Sequence, residues 1–245
     1  MIMPNETSFP GSRTDIDPPL IRGKTEDLWA IPFLRLNRYL NRPLAGILVR
    51  ALFRTRITPN QVTLAAFAVG VAGAGFFLHG RAWSFAVGGL LAELSSIVDC
   101  ADGMLARARG RSSAYGAVLD LILDRINEFF LLSAAGIGYY RYSGRPRFLV
   151  LGFLVTALYF LHITLVYLWM SYKKKGVPGE AAENRAWMMI LICFFGLIKR
   201  IDLGFFVLAA VTSAFITFLI VDLFRLRKSG FPAAGDSAVK SSGRD

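Results

Sequence analysis

The chain has 245 residues, 54% of them hydrophobic and only 18% charged, with a formal net charge of +11. Its mean hydropathy is +0.48 and its pI about 10.1. A soluble domain of this size carries more surface charge, and a nucleic-acid binder gathers its basic residues on a polar face. Here they flank long apolar runs, so the chain reads as a membrane protein with no nucleic-acid partner.

Residues 1–25 are polar, rich in Pro, Gly and Ser, and lack the apolar core of a signal peptide. They read as a disordered cytoplasmic tail. In residues 26–55, Trp29, Phe33, Leu36, Leu40, Leu44, Leu48 and Leu52 recur at helical spacing, with Arg35, Arg38, Arg42, Arg50 and Arg54 between them. Such a segment is too basic to span a bilayer and predicts an N-terminal amphipathic juxtamembrane helix, broken or kinked at Pro32 and Pro43.

Residues 56–228 form the main domain. Thr58-Pro59-Asn60 is a helix start signal. Apolar runs follow at 61–79, 82–98, 113–140, 148–169, 186–198 and 203–224. Spanning takes about 20 residues, so the fifth run needs flanking residues to cross. Gly70, Ala72, Gly73, Ala74 and Gly75 in the first run suit close helix packing. The predicted fold is all-α, an integral membrane bundle of six transmembrane helices, and residues 229–245 read as a second disordered cytoplasmic tail.

Six spans put both termini on one side. The basic arm, Arg107, Arg109, Arg111, Lys173, Lys174, Lys175, Arg185, Arg225, Arg227 and Lys228 make that side cytoplasmic. Arg81, Arg141, Arg145, Arg147, Lys199 and Arg200 fall on the other side, and the 141–147 loop runs against the rule. Cys100 and Cys193 are far apart inside apolar segments, which argues against a disulfide framework or a zinc site. His162 lies mid-span and reads as a packed polar residue.

Charged groups inside spans cost at least ~2.5–3.5 kcal/mol each at the bilayer centre, which makes them functional candidates. Asp99, Asp102, Gly103 and Ala106 fall at i, i+3, i+4 and i+7 and share one helix face. Gly116, Asp120 and Asp124 recur every four residues on the next helix. The short turn at Arg109-Gly110-Arg111 predicts that these helices are antiparallel neighbours. Four converging carboxylates suit one or two hard divalent cations. Ion pairing with nearby arginines, or a proton or cation pathway as in a cation transporter, is the alternative that composition leaves open.

The run from Asp99 to Asp124 reads D-x2-D-G-x2-A-R-x8-G-x3-D-x3-D and resembles the signature of the CDP-alcohol phosphotransferase family at every fixed position. The resemblance implies an enzyme that transfers a phosphoalcohol group from a CDP-alcohol to an acceptor hydroxyl and releases CMP. It implies that Asp99, Asp102, Asp120 and Asp124 hold two Mg2+ or Mn2+ ions, with Asp124 also the general base. Gly103, Ala106, Arg107 and Gly116, with Asn60 and Thr63 from the first span, would line the nucleotide. Arg111 and Arg125 are candidates for a phosphorylated acceptor; for Arg125 an ion pair with Glu128 is the equal alternative. The donor would be CDP-diacylglycerol or a soluble CDP-alcohol, the site would face the cytoplasm, and a second copy of the chain would complete a homodimer. Arg35-Leu36-Asn37-Arg38, Asn41-Arg42-Pro43 and Leu123-Asp124-Arg125 look similar to the di-myo-inositol phosphate phosphate synthase branch.

Overall fold

A computed structural model describes residues 39–172 and 180–228. The expected terminal tails, the first part of the juxtamembrane segment, and Lys173 to Lys175 lie outside the described residues. Those described form seven helices and no strand: α1 (Asn41–Leu52), α2 (Pro59–His79), α3 (Ala82–Ala108), α4 (Ala114–Ser143), α5 (Pro146–Tyr172), α6 (Glu180–Leu197) and α7 (Ile201–Lys228). Each of the six apolar runs falls on one of α2 to α7.

Four helices are long and apolar enough to cross a membrane: Pro59–His79, Ala82–Ala108, Pro146–Trp169 and Ile201–Asp222. Their outward faces carry exposed large apolar side chains, among them Leu64, Leu90, Phe153, Leu161 and Phe206. Such a surface is stable against lipid and not against water. The acidic half of α4 lowers its hydropathy, although its 30 residues make it the longest helix among the described residues.

Local signals set the helix ends. Thr58 caps α2 through a reciprocal box: its hydroxyl accepts from the Gln61 amide at 3.3 Å, and the Gln61 side chain accepts from the Thr58 amide at 2.8 Å. Pro59 occupies the first turn, where its missing N–H has no intrahelical partner to serve. Pro43 does not break α1, as the sequence suggested, because it too lies in a first turn. Helix α3 ends in a double hydrogen bond, Gly110 N–H to the Arg107 carbonyl at 3.1 Å and Arg111 N–H to the Ala106 carbonyl at 2.9 Å. Gly110 sits at φ 61°, the left-handed conformation this ending requires.

The packing corrects one expectation. Helices α3 and α4, joined by a short turn, touch each other little; each instead packs along α2. Small residues explain this. The Gly73 backbone lies against Gly88 of α3, and Gly138 of α4 lies so close to the Phe77 carbonyl of α2 that a Cβ there would clash. Gly89 meets Cys193 of α6, and Gly136 of α4 meets Gly152 of α5. The six long helices close a ring in the order α2, α3, α6, α7, α5, α4, with α1 packed on the outside of α3. His162 is buried and stacked on Phe215 of α7, ring centroids 5.2 Å apart.

Candidate active site

The long C-terminal part of α3 and the N-terminal part of α4 bring three carboxylates together. One oxygen from each of Asp99, Asp120 and Asp124 lies within 4.8 Å of the others, each side chain half-buried. Oxygen ligands stand ~2.0–2.1 Å from Mg2+, so two ligands on opposite sides of an octahedral ion are ~4 Å apart. Separations of up to 4.8 Å leave room for one such ion among the three oxygens, with the side chains closing in on it. All-oxygen donors also select a hard divalent cation over zinc or copper.

Asp102, the fourth acid, stands apart from that trio. It is buried, and its Oδ2 accepts a short hydrogen bond from the Thr63 hydroxyl of α2. Thr63, expected to face the nucleotide, is therefore buried behind Asp102 and orients it. Its neighbour Asn60 does reach the small positions: a Cβ on Gly116 would lie 3.2 Å from Asn60 Oδ1. Ser113 caps α4 with its Oγ, which accepts from the Gly116 amide at 3.0 Å. On α3 the Arg107 guanidinium folds back over Gly103, 3.3 Å from where a Cβ would stand. Ala106 is half-buried on the same face, and Arg111 is exposed beyond the turn. Arg125 forms a two-pronged pair with Glu128, at 2.8 and 2.9 Å, one of the two outcomes its sequence position left open.

One helical turn beyond the acids, buried polar side chains fix the helices that carry them. Asn127, one turn past Asp124, donates from Nδ2 to Ser95 Oγ at 3.0 Å, and Ser95 donates to the Ala66 carbonyl at 2.8 Å. This chain links α4, α3 and α2. Next to it, Asn41 of α1 donates to Ser96 Oγ at 3.0 Å, with both side chains buried. Arg109, which the sequence grouped with the topology-setting charges and with the arginines that could pair with the acids, spreads its guanidinium over the carbonyls of Leu52, Phe53, Thr55 and Ile57. It thereby ties the α1–α2 linker to the end of α3. Spacing marks Ser95 and Asn127 as polar residues inside spans, but only the packing shows that they meet.

The model of the family described as CDP-alcohol phosphatidyltransferase matches residues 56–221. The chain is 38% identical over 130 residues to the bifunctional IPC transferase and DIPP synthase of Rubrobacter xylanophilus, covering 51% of this chain and 29% of that protein. It is 37% identical over 90 residues to the phosphatidylinositol phosphate synthase of Mycolicibacterium smegmatis, covering 36% of this chain and 37% of the relative. The chain thus spans well under half the length of these curated relatives. The crystal structure of Mycobacterium tuberculosis phosphatidylinositol phosphate synthase with CDP-DAG bound has the same fold. Its TM-score is 0.57 at 20% identity, over 74% of this chain and 92% of that one. A second crystal structure of that synthase, in complex with manganese and citrate, superposes with the same TM-score of 0.57.

Proposed function

Because the chain belongs to the CDP-alcohol phosphatidyltransferase family, we propose that it transfers a phosphoalcohol group from a CDP-alcohol to an acceptor hydroxyl, with CMP as leaving group. The observation that carries this reading is the approach of Asp99, Asp120 and Asp124 to within 4.8 Å from two different helices. It is supported by the family, described as CDP-alcohol phosphatidyltransferase, and by relatives whose names include phosphatidylinositol phosphate synthase.

In this reading Asp99, Asp102, Asp120 and Asp124 hold two Mg2+ or Mn2+ ions, with Thr63 orienting Asp102. Bound there, the ions neutralise the donor pyrophosphate and make its phosphorus attackable. Asn60, Gly103, Ala106 and Gly116 leave room for the cytidine to approach the helix backbones, and Arg107 pairs with its phosphates. Asp124 accepts the proton of the acceptor hydroxyl as the new O–P bond forms and the bond from phosphorus to the CMP oxygen breaks. Arg111 is the acceptor-phosphate candidate; Arg125, held by Glu128, shapes the wall behind Asp124. Helices α2 to α7 all cross the membrane, with the acidic end and both termini on the cytoplasmic side.

The test is to supply purified protein with labelled CDP-diacylglycerol or soluble CDP-alcohols and a panel of hydroxyl acceptors, myo-inositol phosphate among them. CMP should appear with one donor–acceptor pair. No CMP from any pair, together with Mn2+ flux into vesicles holding the protein, would replace this reading with a cation transporter.

A further inference from the structure

The helix ring has a concave feature at the end far from the carboxylates. A cavity of about 780 Å3 opens where the C-terminal end of α4, the N-terminal end of α5 and the start of α7 meet. Its residue Tyr139 lies ~22 Å along α4 from Asp124, at 1.5 Å per residue. That distance is most of the ~30 Å thickness of a bilayer's hydrocarbon core. The cavity is therefore not part of the candidate active site.

Its rim is cationic and its wall apolar. Arg145, Arg147 and Arg200 line it, with Asp202 the single acid. Arg200 is taken up by that acid, Nε to Oδ1 at 3.1 Å. Arg147 lies over the Phe148 ring at 5.0 Å from its centroid, and neither it nor Arg145 has an acidic partner among the described residues. Deeper toward the membrane centre, Val150, Leu154 and Phe206 line the same cavity and are 57%, 57% and 56% exposed. Positive-inside topology explains none of these arginines, since the rule places few basic residues at this end. They need a different counter-charge.

We propose that this groove binds an anionic glycerophospholipid of the leaflet opposite the carboxylates. Its phosphate lies between Arg145 and Arg147, and its acyl chains run along α5 and α7 past Leu154 and Phe206. Charge complementarity selects the head group, and the apolar wall directly below the rim selects a lipid over a free anion. The site is independent of the transfer reaction.

The experiment uses the full chain purified in detergent, titrated with phosphatidylglycerol or phosphatidylcholine of the same acyl chains and read by native mass spectrometry. The expected preference for phosphatidylglycerol is about 30-fold, from two uncompensated arginines worth roughly fivefold each. The R145Q/R147Q double variant should lose that preference. Arg81→Gln, an exposed arginine outside the groove, should keep it. Leu154→Trp retains both arginines but fills the wall, and should also lose the lipid, which covers the case of a double variant that misfolds. The proposal is overturned by equal affinity for the two lipids, by a double variant that still prefers phosphatidylglycerol, or by displacement of the lipid with glycerol phosphate alone. A double variant that turns a dimer into a monomer, with no lipid preference in the wild type, would instead assign the groove to a second copy.

Discussion

Thr63→Val isolates the contribution of one hydroxyl. Valine has the shape of threonine, both Thr63 and Asp102 are 5% exposed, and the change removes the hydroxyl that donates to Asp102 Oδ2 and also lies 3.2 Å from the Pro59 carbonyl of its own helix. A hydrogen bond to a charged group is worth ~1.5–3 kcal/mol. Asp102 keeps other interactions, so the lower part of that range applies. At 1.4 kcal/mol per tenfold, ~1.5–2 kcal/mol is about a 10- to 30-fold loss in Mn2+ affinity, within the 10–100-fold typical of residues that orient metal ligands. The assay is a Mn2+ titration of detergent-purified protein, with free Mn2+ read by electron paramagnetic resonance and helix content by circular dichroism. Thr63→Ser, which keeps the hydroxyl, should titrate close to wild type. If Thr63→Val binds Mn2+ as tightly as wild type with its helix content intact, Thr63 does not act on the metal site through Asp102.

Other substitutions test separate parts of the account. Asp124→Asn should keep donor binding, measured with labelled CDP-alcohol, while turnover falls ~10²-fold or more; equal loss of donor binding in Asp124→Asn and Asp99→Asn would make Asp124 chiefly a ligand. Gly138→Ala would place a Cβ 1.8 Å from the Phe77 carbonyl oxygen, and should lower stability by ~3 kcal/mol or more, read as a large drop in Tm. Lys199 holds φ 60° at the end of α6, where a left-handed conformation costs a side chain ~1–2 kcal/mol. Lys199→Gly should therefore raise Tm by ~2–4 °C or more, and an unchanged Tm would show that the turn is not strained. Arg109→Met should speed amide exchange across Phe53 to Ile57 without changing exchange in the core of α2, since its guanidinium holds four carbonyls of that linker.

The sequence carried the helices and the family, but not how the helices meet. Apolar runs and the Thr58-Pro59 cap placed the helix starts closely, because capping and hydrophobic length act locally. The four-residue spacing of Gly116, Asp120 and Asp124 put them on one face before any packing was known. Which face meets which depends on three-dimensional fit. The short turn after Arg109 suggested that α3 and α4 lie side by side, yet Gly73, Gly88 and Gly138 let α2 pack more tightly against each of them. The same limit hid the Asn127–Ser95–Ala66 chain, whose members are 29 and 32 residues apart. It also hid the role of Arg109, whose partners are backbone carbonyls that composition does not mark.

The claim that Asp99, Asp120 and Asp124 form a divalent-cation site serving CDP-alcohol transfer is tested most directly by CMP release. Purified protein is given its donor and acceptor, freed of metal with chelator, then supplied with Mg2+ or Mn2+. Release should stop with chelator, return with either ion, and not return in Asp120→Asn at the same metal concentration. Full CMP release in excess chelator, or from Asp120→Asn without added metal, would contradict it.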